Sequence, residues 1–157
     1  MIMNGEKRKI LITGSSRGIG AQIARDAHDM GYEVVLHGRQ NSYNLEKLRN
    51  ELDCEAVTFD VQDWDAVSKE ISQINRLDVL VNSAGVNISA SIEDLSLENW
   101  RSVYETNVFG LVGVTNASVA LLRRSASARI INIGSVKGEY SATGRAAYAS
   151  SKAAVSS

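Results

Sequence analysis

The chain contains no proline, although an average usage of about 5% would supply several among its 157 residues. It has one cysteine, Cys54, which excludes an internal disulfide and offers no metal cluster; the residue reads as a small strand-end hydrophobe. The two histidines, His28 and His37, lack partners at metal-ligand spacing and read as ordinary helix and strand residues. No apolar run approaches the ~20 residues needed to cross a bilayer. The polar opening MIMNGEKRK lacks the apolar segment of a secretion signal. Neither sign of charge dominates: the formal net charge is −1. With no long basic stretch, bulk attraction to nucleic acid or to an anionic membrane is excluded. A soluble, cytoplasmic protein is the expectation.

What is present suffices for one domain over residues 1–157. Hydrophobic residues make up 44% and charged residues 22%, the balance of a globular chain able to bury a core. Short apolar runs alternate with longer amphipathic ones, the pattern of a parallel sheet with crossover helices. The spacing predicts strands at 9–13 (KILIT), 33–37 (EVVLH), 56–59 (AVTF), 77–81 (LDVLV) and 129–133 (RIINI). It predicts helices at 18–30, 44–52, 64–74 and 98–123, and a last one from about residue 145. Gly31 is a plausible stop for the first helix. The near-continuous apolar strands fit a sheet covered on both faces.

The first chemical signal is TGSSRGIG, residues 13–20, between the first strand and the first helix. A glycine pattern alone is weak, but strand–turn–helix context is what a dinucleotide cradle requires. Gly14 permits the tight turn, while Gly18 and Gly20 allow close approach of backbone and helix to a pyrophosphate. The helix N-terminus supplies free amides and a positive dipole end. At the end of the second strand, NAD-binding domains commonly place an acid for the adenosine ribose hydroxyls. Here the residues are His37-Gly38-Arg39, with no acid. A 2′-phosphate would meet no repulsion and would pair with Arg39, with Arg17 as a second cation. NADP(H) is therefore favoured over NAD(H).

Tyr148 and Lys152 stand four apart at the start of the last helix and so share one face. Company gives the pair its meaning. Asn82-Ser83-Ala84-Gly85 follows the fourth strand, Asn107 lies in the long helix, and Ser135 follows the fifth strand. Singly, Ser135 reads as a loop serine and Asn107 as a helix-surface amide. Jointly they cluster at the carboxyl ends of the strands, where open α/β sheets bind ligands.

In this order and spacing, TGSSRGIG, NSAG, Asn107, Ser135 and YASSK resemble the classical short-chain dehydrogenase/reductase family, from about Lys7 onward. The resemblance implies a Rossmann-type, doubly wound parallel α/β sheet with helices on both faces. It implies a tetrad of Asn107, Ser135, Tyr148 and Lys152 for hydride exchange between nicotinamide and a carbonyl or alcohol substrate. Tyr148 would move the proton at the substrate oxygen, and Ser135 would polarise that oxygen. Lys152 would hold the nicotinamide ribose and favour the phenolate, and Asn107 would keep a water in the relay. A lysine matters here because a free tyrosine, with pKa near 10, is only about 0.1% phenolate at pH 7. The residues expected to meet the cofactor are Gly14, Ser16, Arg17, Gly18, Ile19, Gly20, Arg39, Asp60, Val61, Asn82, Ala84 and Gly85, together with Tyr148 and Lys152. Ser83 departs from the usual second asparagine of the NSAG turn and reads as a tolerated variant.

Relatives of this kind usually run to roughly 250 residues, within the single-domain range. The resemblance thus implies that the last strands, the substrate-covering segment and much of the subunit interface of a homodimer or homotetramer lie beyond Ser157. That region often opens with a Pro-Gly turn, which accounts for part of the missing proline. The fifth strand would then form an exposed edge. Two readings stand at this point: an NADP(H)-dependent reductase or dehydrogenase, or a truncated nucleotide-binding fragment without activity. The GSVKG stretch after the fifth strand resembles 3-oxoacyl-carrier-protein reductases, a lean shared with sugar, steroid and small-ketone reductases.

Overall fold

The computed structural model describes residues 2–3, 6–140 and 143–157. A two-residue antiparallel ribbon, Ile2–Met3 with Glu6–Lys7, precedes the main sheet. That sheet has five strands: β1 (Lys9–Ile12), β2 (Glu33–Gly38), β3 (Glu55–Thr58), β4 (Val79–Asn82) and β5 (Arg129–Asn132). Their spatial order is β3-β2-β1-β4-β5 and every pairing is parallel. The doubly wound α/β expectation therefore holds. The chain starts mid-sheet, walks to one edge, then crosses back to place β4 beside β1. The gap between the carboxyl ends of β1 and β4 is the topological switch point, where such sheets bind ligands.

The helices are α1 (Gly18–Asp29), α2 (Tyr43–Leu52), α3 (Trp64–Ile71), α4 (Leu97–Tyr104), α5 (Leu111–Leu122) and α6 (Ala146–Ser156). Strand alternation sends Ile10, Ile12, Val34 and Leu36 to one face, under the alanines of α1 and the leucines of α2. Leu11, Val35 and Leu80 point to the other, under Val67 and Ile71 of α3 and Val114 of α5. Each such side chain contributes about 1.5–3 kcal/mol by leaving water. Two cores on opposite faces explain why β1 and β4 read as unbroken apolar runs.

Local chemistry sets the helix ends. Ser42, Asp63 and Ser96 cap α2, α3 and α4 by accepting from Leu45 N, Ala66 N and Asn99 N. Gly31, at φ 83°, turns the chain out of α1 as expected. Two expectations shift. The third helix ends at Ile71 rather than residue 74, because Ser72 to Ile74 tighten into turns that bury Ile74 before β4. The long helix over 98–123 is interrupted: a π-helical segment, Glu105–Gly110, joins α4 to α5. β5 forms one edge of the sheet, with Ile130 and Ile131 46% and 47% exposed.

Candidate active site

The glycine loop and the NSAG turn meet at the switch point. Thr13, directly after β1, accepts at Oγ1 from Ser83 N and Ala84 N, both at 3.0 Å. Gly14 sits at φ 65°, and a Cβ there would stand 2.8 Å from Ala84 Cα, so only glycine fits. Ser83 contributes its backbone amide to this joint, which accommodates serine in place of asparagine.

Whether the loop suits a dinucleotide can be judged from its free space and free donors. Gly18 lies at φ 60° with nothing within 4 Å of a built Cβ, so its side opens to solvent rather than to packing. Unlike the capped helices, α1 begins on Arg17 with no side-chain cap and no acid in its first turn. Its first amides thus remain for an anion, and the positive dipole end is not offset. Ile19 is 65% exposed beside them. These residues fit a pyrophosphate. Arg17 and Arg39 are exposed and have no ion-pair partner among the described residues. Arg39 follows β2 directly, where an acid would otherwise stand.

At the end of β3, the Asp60 carboxylate accepts from Gln62 N at 3.0 Å. Val61 is buried against Gly110 at the end of the π-helical segment. Asn82 closes β4 and ties three elements, donating through Nδ2 to Thr115 Oγ1 of α5 at 3.0 Å and to Asn132 Oδ1 of β5 at 2.9 Å.

The π-helical segment presents Asn107 to the same end of the sheet. Asn107 is buried, accepts at Oδ1 from Val86 N at 2.8 Å, and donates from Nδ2 to Val86 O and Ser151 Oγ, each at 3.0 Å. Both amide hydrogens are thereby committed. Asn107 clips the loop after β4 to α6. A Cβ on Gly85 would stand 3.3 Å from Asn107 Oδ1 and 3.9 Å from Lys152 Nζ, so Gly85 lies where the two side chains approach each other.

Lys152 is 6% exposed and donates to the Ile133 carbonyl at 2.6 Å. Burial holds its ammonium below the usual lysine range. Tyr148, one turn earlier on the same face of α6, is half-buried. Ser135 follows Ile133 by two residues and caps a short 3₁₀ turn, Val136–Gly138, accepting from Lys137 N at 3.1 Å. Its hydroxyl hydrogen remains to be donated. That turn lies directly on α6, for a Cβ on Gly138 would be 2.9 Å from Ala153 N. Asn107, Ser135, Tyr148 and Lys152 are therefore all carried by elements that pack together at the carboxyl end of β4 and β5.

Two concavities of about 460 and 480 Å³ lie at the opposite, amino-terminal end of the strands, one beside Tyr32 and Glu55 and the other beside Asp78 and Arg124. They do not displace the assignment, because in this topology the helix N-terminus and the loop amides face the carboxyl end.

One residue escaped the sequence reading. His37, expected to be an ordinary strand residue, is 2% exposed and hydrogen-bonds to the glycine loop. A histidine inside a fully buried strand is the signal that would have exposed it, since a buried ring must find partners.

Comparison with known proteins agrees with this geometry. Residues 8–157 match the model of the short chain dehydrogenase family. Gluconate 5-dehydrogenase of Gluconobacter oxydans (strain 621H) is 35% identical over 156 residues, covering 94% of this chain and 60% of that enzyme. Among solved structures, a short-chain dehydrogenase from Streptomyces avermitilis superposes with a TM-score of 0.89 at 31% identity, over 96% of this chain and 57% of that one. A gluconate 5-dehydrogenase from Burkholderia cenocepacia J2315, in complex with NADP and tartrate, gives 0.88 at 30% identity, over 94% and 61%. The chain thus spans about half to three fifths of the length of curated relatives it matches. No helix among the described residues is long and apolar enough to cross a membrane.

Proposed function

The chain belongs to the short-chain dehydrogenase family, and from that premise we propose that it encodes an NADP(H)-preferring oxidoreductase acting on a carbonyl or alcohol substrate. The observation that carries the reading is the convergence of Asn107 and Lys152 at Gly85, beside a glycine loop with uncapped amides. Gly14, Ser16, Gly18, Ile19 and Gly20 would cradle the pyrophosphate, and Arg17 and Arg39 the 2′-phosphate. Asp60, Val61, Asn82, Ala84 and Gly85 would line the adenine and nicotinamide sides.

When bound, the nicotinamide supplies or accepts the hydride. The chain supplies the rest. Tyr148 gives or takes the proton at the substrate oxygen, and Ser135 donates its free hydroxyl hydrogen to that oxygen. Lys152, already giving one hydrogen to Ile133 O, retains two more for the ribose and for the tyrosine side. Asn107 fixes the distance between Val86 and Ser151, and so sets the floor on which a relay water would rest.

The second reading is a nucleotide-binding unit without turnover, for which the uncapped amides of α1 would suffice by themselves. One experiment separates the two. The full chain is titrated with NADPH and with NADH by fluorescence and then assayed against a panel of sugar-acid, 3-oxoacyl and small-ketone substrates. Binding with Tyr148-dependent turnover supports the first reading; binding without turnover supports the second; no binding of either dinucleotide sinks both.

A further inference from the structure

His37 joins three strands at the cofactor end of the sheet. Its Nδ1 accepts from Gly14 N at 3.0 Å, and its Nε2 lies 3.0 Å from Phe59 O. An amide can only donate and a carbonyl can only accept, so Nδ1 is bare and Nε2 carries the hydrogen. One neutral tautomer alone satisfies both partners. The backbone repeats the grip: His37 N donates to Ser15 Oγ at 2.8 Å, while Ser15 N and Ser15 Oγ donate to His37 O at 2.9 and 3.3 Å. The ring also packs on Phe59, centroids 4.0 Å apart. Thus the first two residues of the glycine loop after Thr13 are held by a single residue of the neighbouring strand.

We propose that His37 is a positioning residue for the glycine-rich loop, its bare Nδ1 holding the Gly14 amide so that the following amides face the dinucleotide phosphates. The proposal rests on the reading of that loop as the dinucleotide cradle. Gly14 is wedged at φ 65° against Ala84, and the Gly14 carbonyl limits Gly20 to glycine at 2.6 Å from a built Cβ. A shift of the Gly14 peptide would therefore carry the first turn of α1 with it. Around the ring, Gly14 and Ser15 from the loop are uncharged, and the Asp60 carboxylate beyond Phe59 is the charged group whose field reaches it. Burial outweighs that field and keeps the ring neutral, with a pKa of about 4.

Three variants of the full chain test this. In His37→Asn the side-chain carbonyl occupies the place of Nδ1 and preserves an acceptor for Gly14. In His37→Gln the polar atoms reach toward Phe59 instead, and His37→Leu offers neither. NADPH affinity is expected to stay within about threefold in His37→Asn and to fall roughly tenfold or more in His37→Leu and His37→Gln. Equal affinity in His37→Leu and the unaltered chain, or equal loss in His37→Asn and His37→Leu, overturns the proposal. Nitrogen-15 spectra of the ligand-free chain provide the independent arm. They should show the Nε2–H tautomer and a slowly exchanging Gly14 amide, fast only in the leucine and glutamine variants. If the unaltered chain binds no dinucleotide, the proposed function fails. The Gly14 exchange rates then decide whether His37 positions the loop.

Discussion

The Lys152 ammonium donates to the main-chain carbonyl of Ile133 over 2.6 Å, tying the second turn of α6 to the residue that follows β5. A buried lysine needs such a partner, because an unpaired ammonium out of water is expensive. A Cβ built on Gly85 would stand 3.9 Å from Lys152 Nζ, and in the proposed function the two remaining hydrogens serve a ribose on that side. Replacing Lys152 by methionine keeps most of the packing and removes all three donors. We expect turnover to fall at least about a hundredfold, with a measurable loss of dinucleotide affinity. Steady-state rates and NADPH titration check this, and an unchanged affinity would remove Lys152 from the cofactor side of the site.

Tyr148 is the proton carrier in the proposed chemistry, and its hydroxyl is the atom to delete. Tyr148→Phe should lower turnover by about 10²–10⁴-fold while NADPH affinity stays within about threefold, since the ring is retained. Turnover that survives the substitution would place the proton donor elsewhere.

In the proposed function, Arg39 is the residue that would choose between the two dinucleotides. It is exposed, directly follows β2, and has no ion-pair partner among the described residues. Introducing a carboxylate with Arg39→Asp should repel a 2′-phosphate and accept from ribose hydroxyls. The ratio of NADPH to NADH affinity is expected to drop by roughly tenfold or more. Paired fluorescence titrations with the two reduced dinucleotides supply the test, and an unmoved ratio refutes the assignment.

Gly14 and Gly18 separate packing from ligand binding. Both have positive φ, which for alanine costs about 1–2 kcal/mol. Only Gly14 also meets neighbouring backbone, at 2.8 Å from Ala84 Cα. Gly14→Ala should therefore lose about 2 kcal/mol or more of stability, and Gly18→Ala distinctly less. Yet Gly18→Ala should still weaken NADPH binding, because its new methyl enters the open space that the phosphates would fill. Urea unfolding beside NADPH titration reads both quantities.

The parts of the fold visible in the sequence are those set by near neighbours in the chain. Buried strands such as Ile10 to Ile12 appear as apolar runs because both faces are covered. The glycine loop is legible because Gly14 must adopt φ 65°. The interruption at Glu105–Gly110 was not legible: ETNVFG fits a regular helix, and the contacts that accompany the wider turn, Val61 against Gly110 and Asn107 to Val86, come from distant parts of the chain. His37 was missed for a related reason. Its partners Gly14 and Phe59 are 23 and 22 residues away, and no local pattern records such a bond.

His37 also gives the chain a pH dependence whose sign can be worked out. Its folded pKa of about 4 lies below the ordinary 6.5, chiefly through burial, with the Phe59 carbonyl and Asp60 opposing. Between those values the unfolded chain takes up a proton that the folded chain refuses, so stability falls as pH falls. The contribution is fully present above about pH 6.5 and is lost progressively down to about pH 4. The slope approaches about 1.4 kcal/mol per pH unit, and the total is about 3 kcal/mol. Below pH 4 both states carry the proton and this residue adds nothing further. Asp78 contributes to the same acid limb only at lower pH: burial pushes its carboxyl up, but the Ser125 hydroxyl, the Lys9 amide and the charges of Arg76 and Arg8 together hold it below the usual range. Urea unfolding of His37→Asn, which has no ring to protonate, should therefore run flatter than the unaltered chain between pH 6.5 and 4. Parallel curves over that window would mean that the ring is not held neutral by its burial, and would contradict the tautomer on which the Gly14 bond depends.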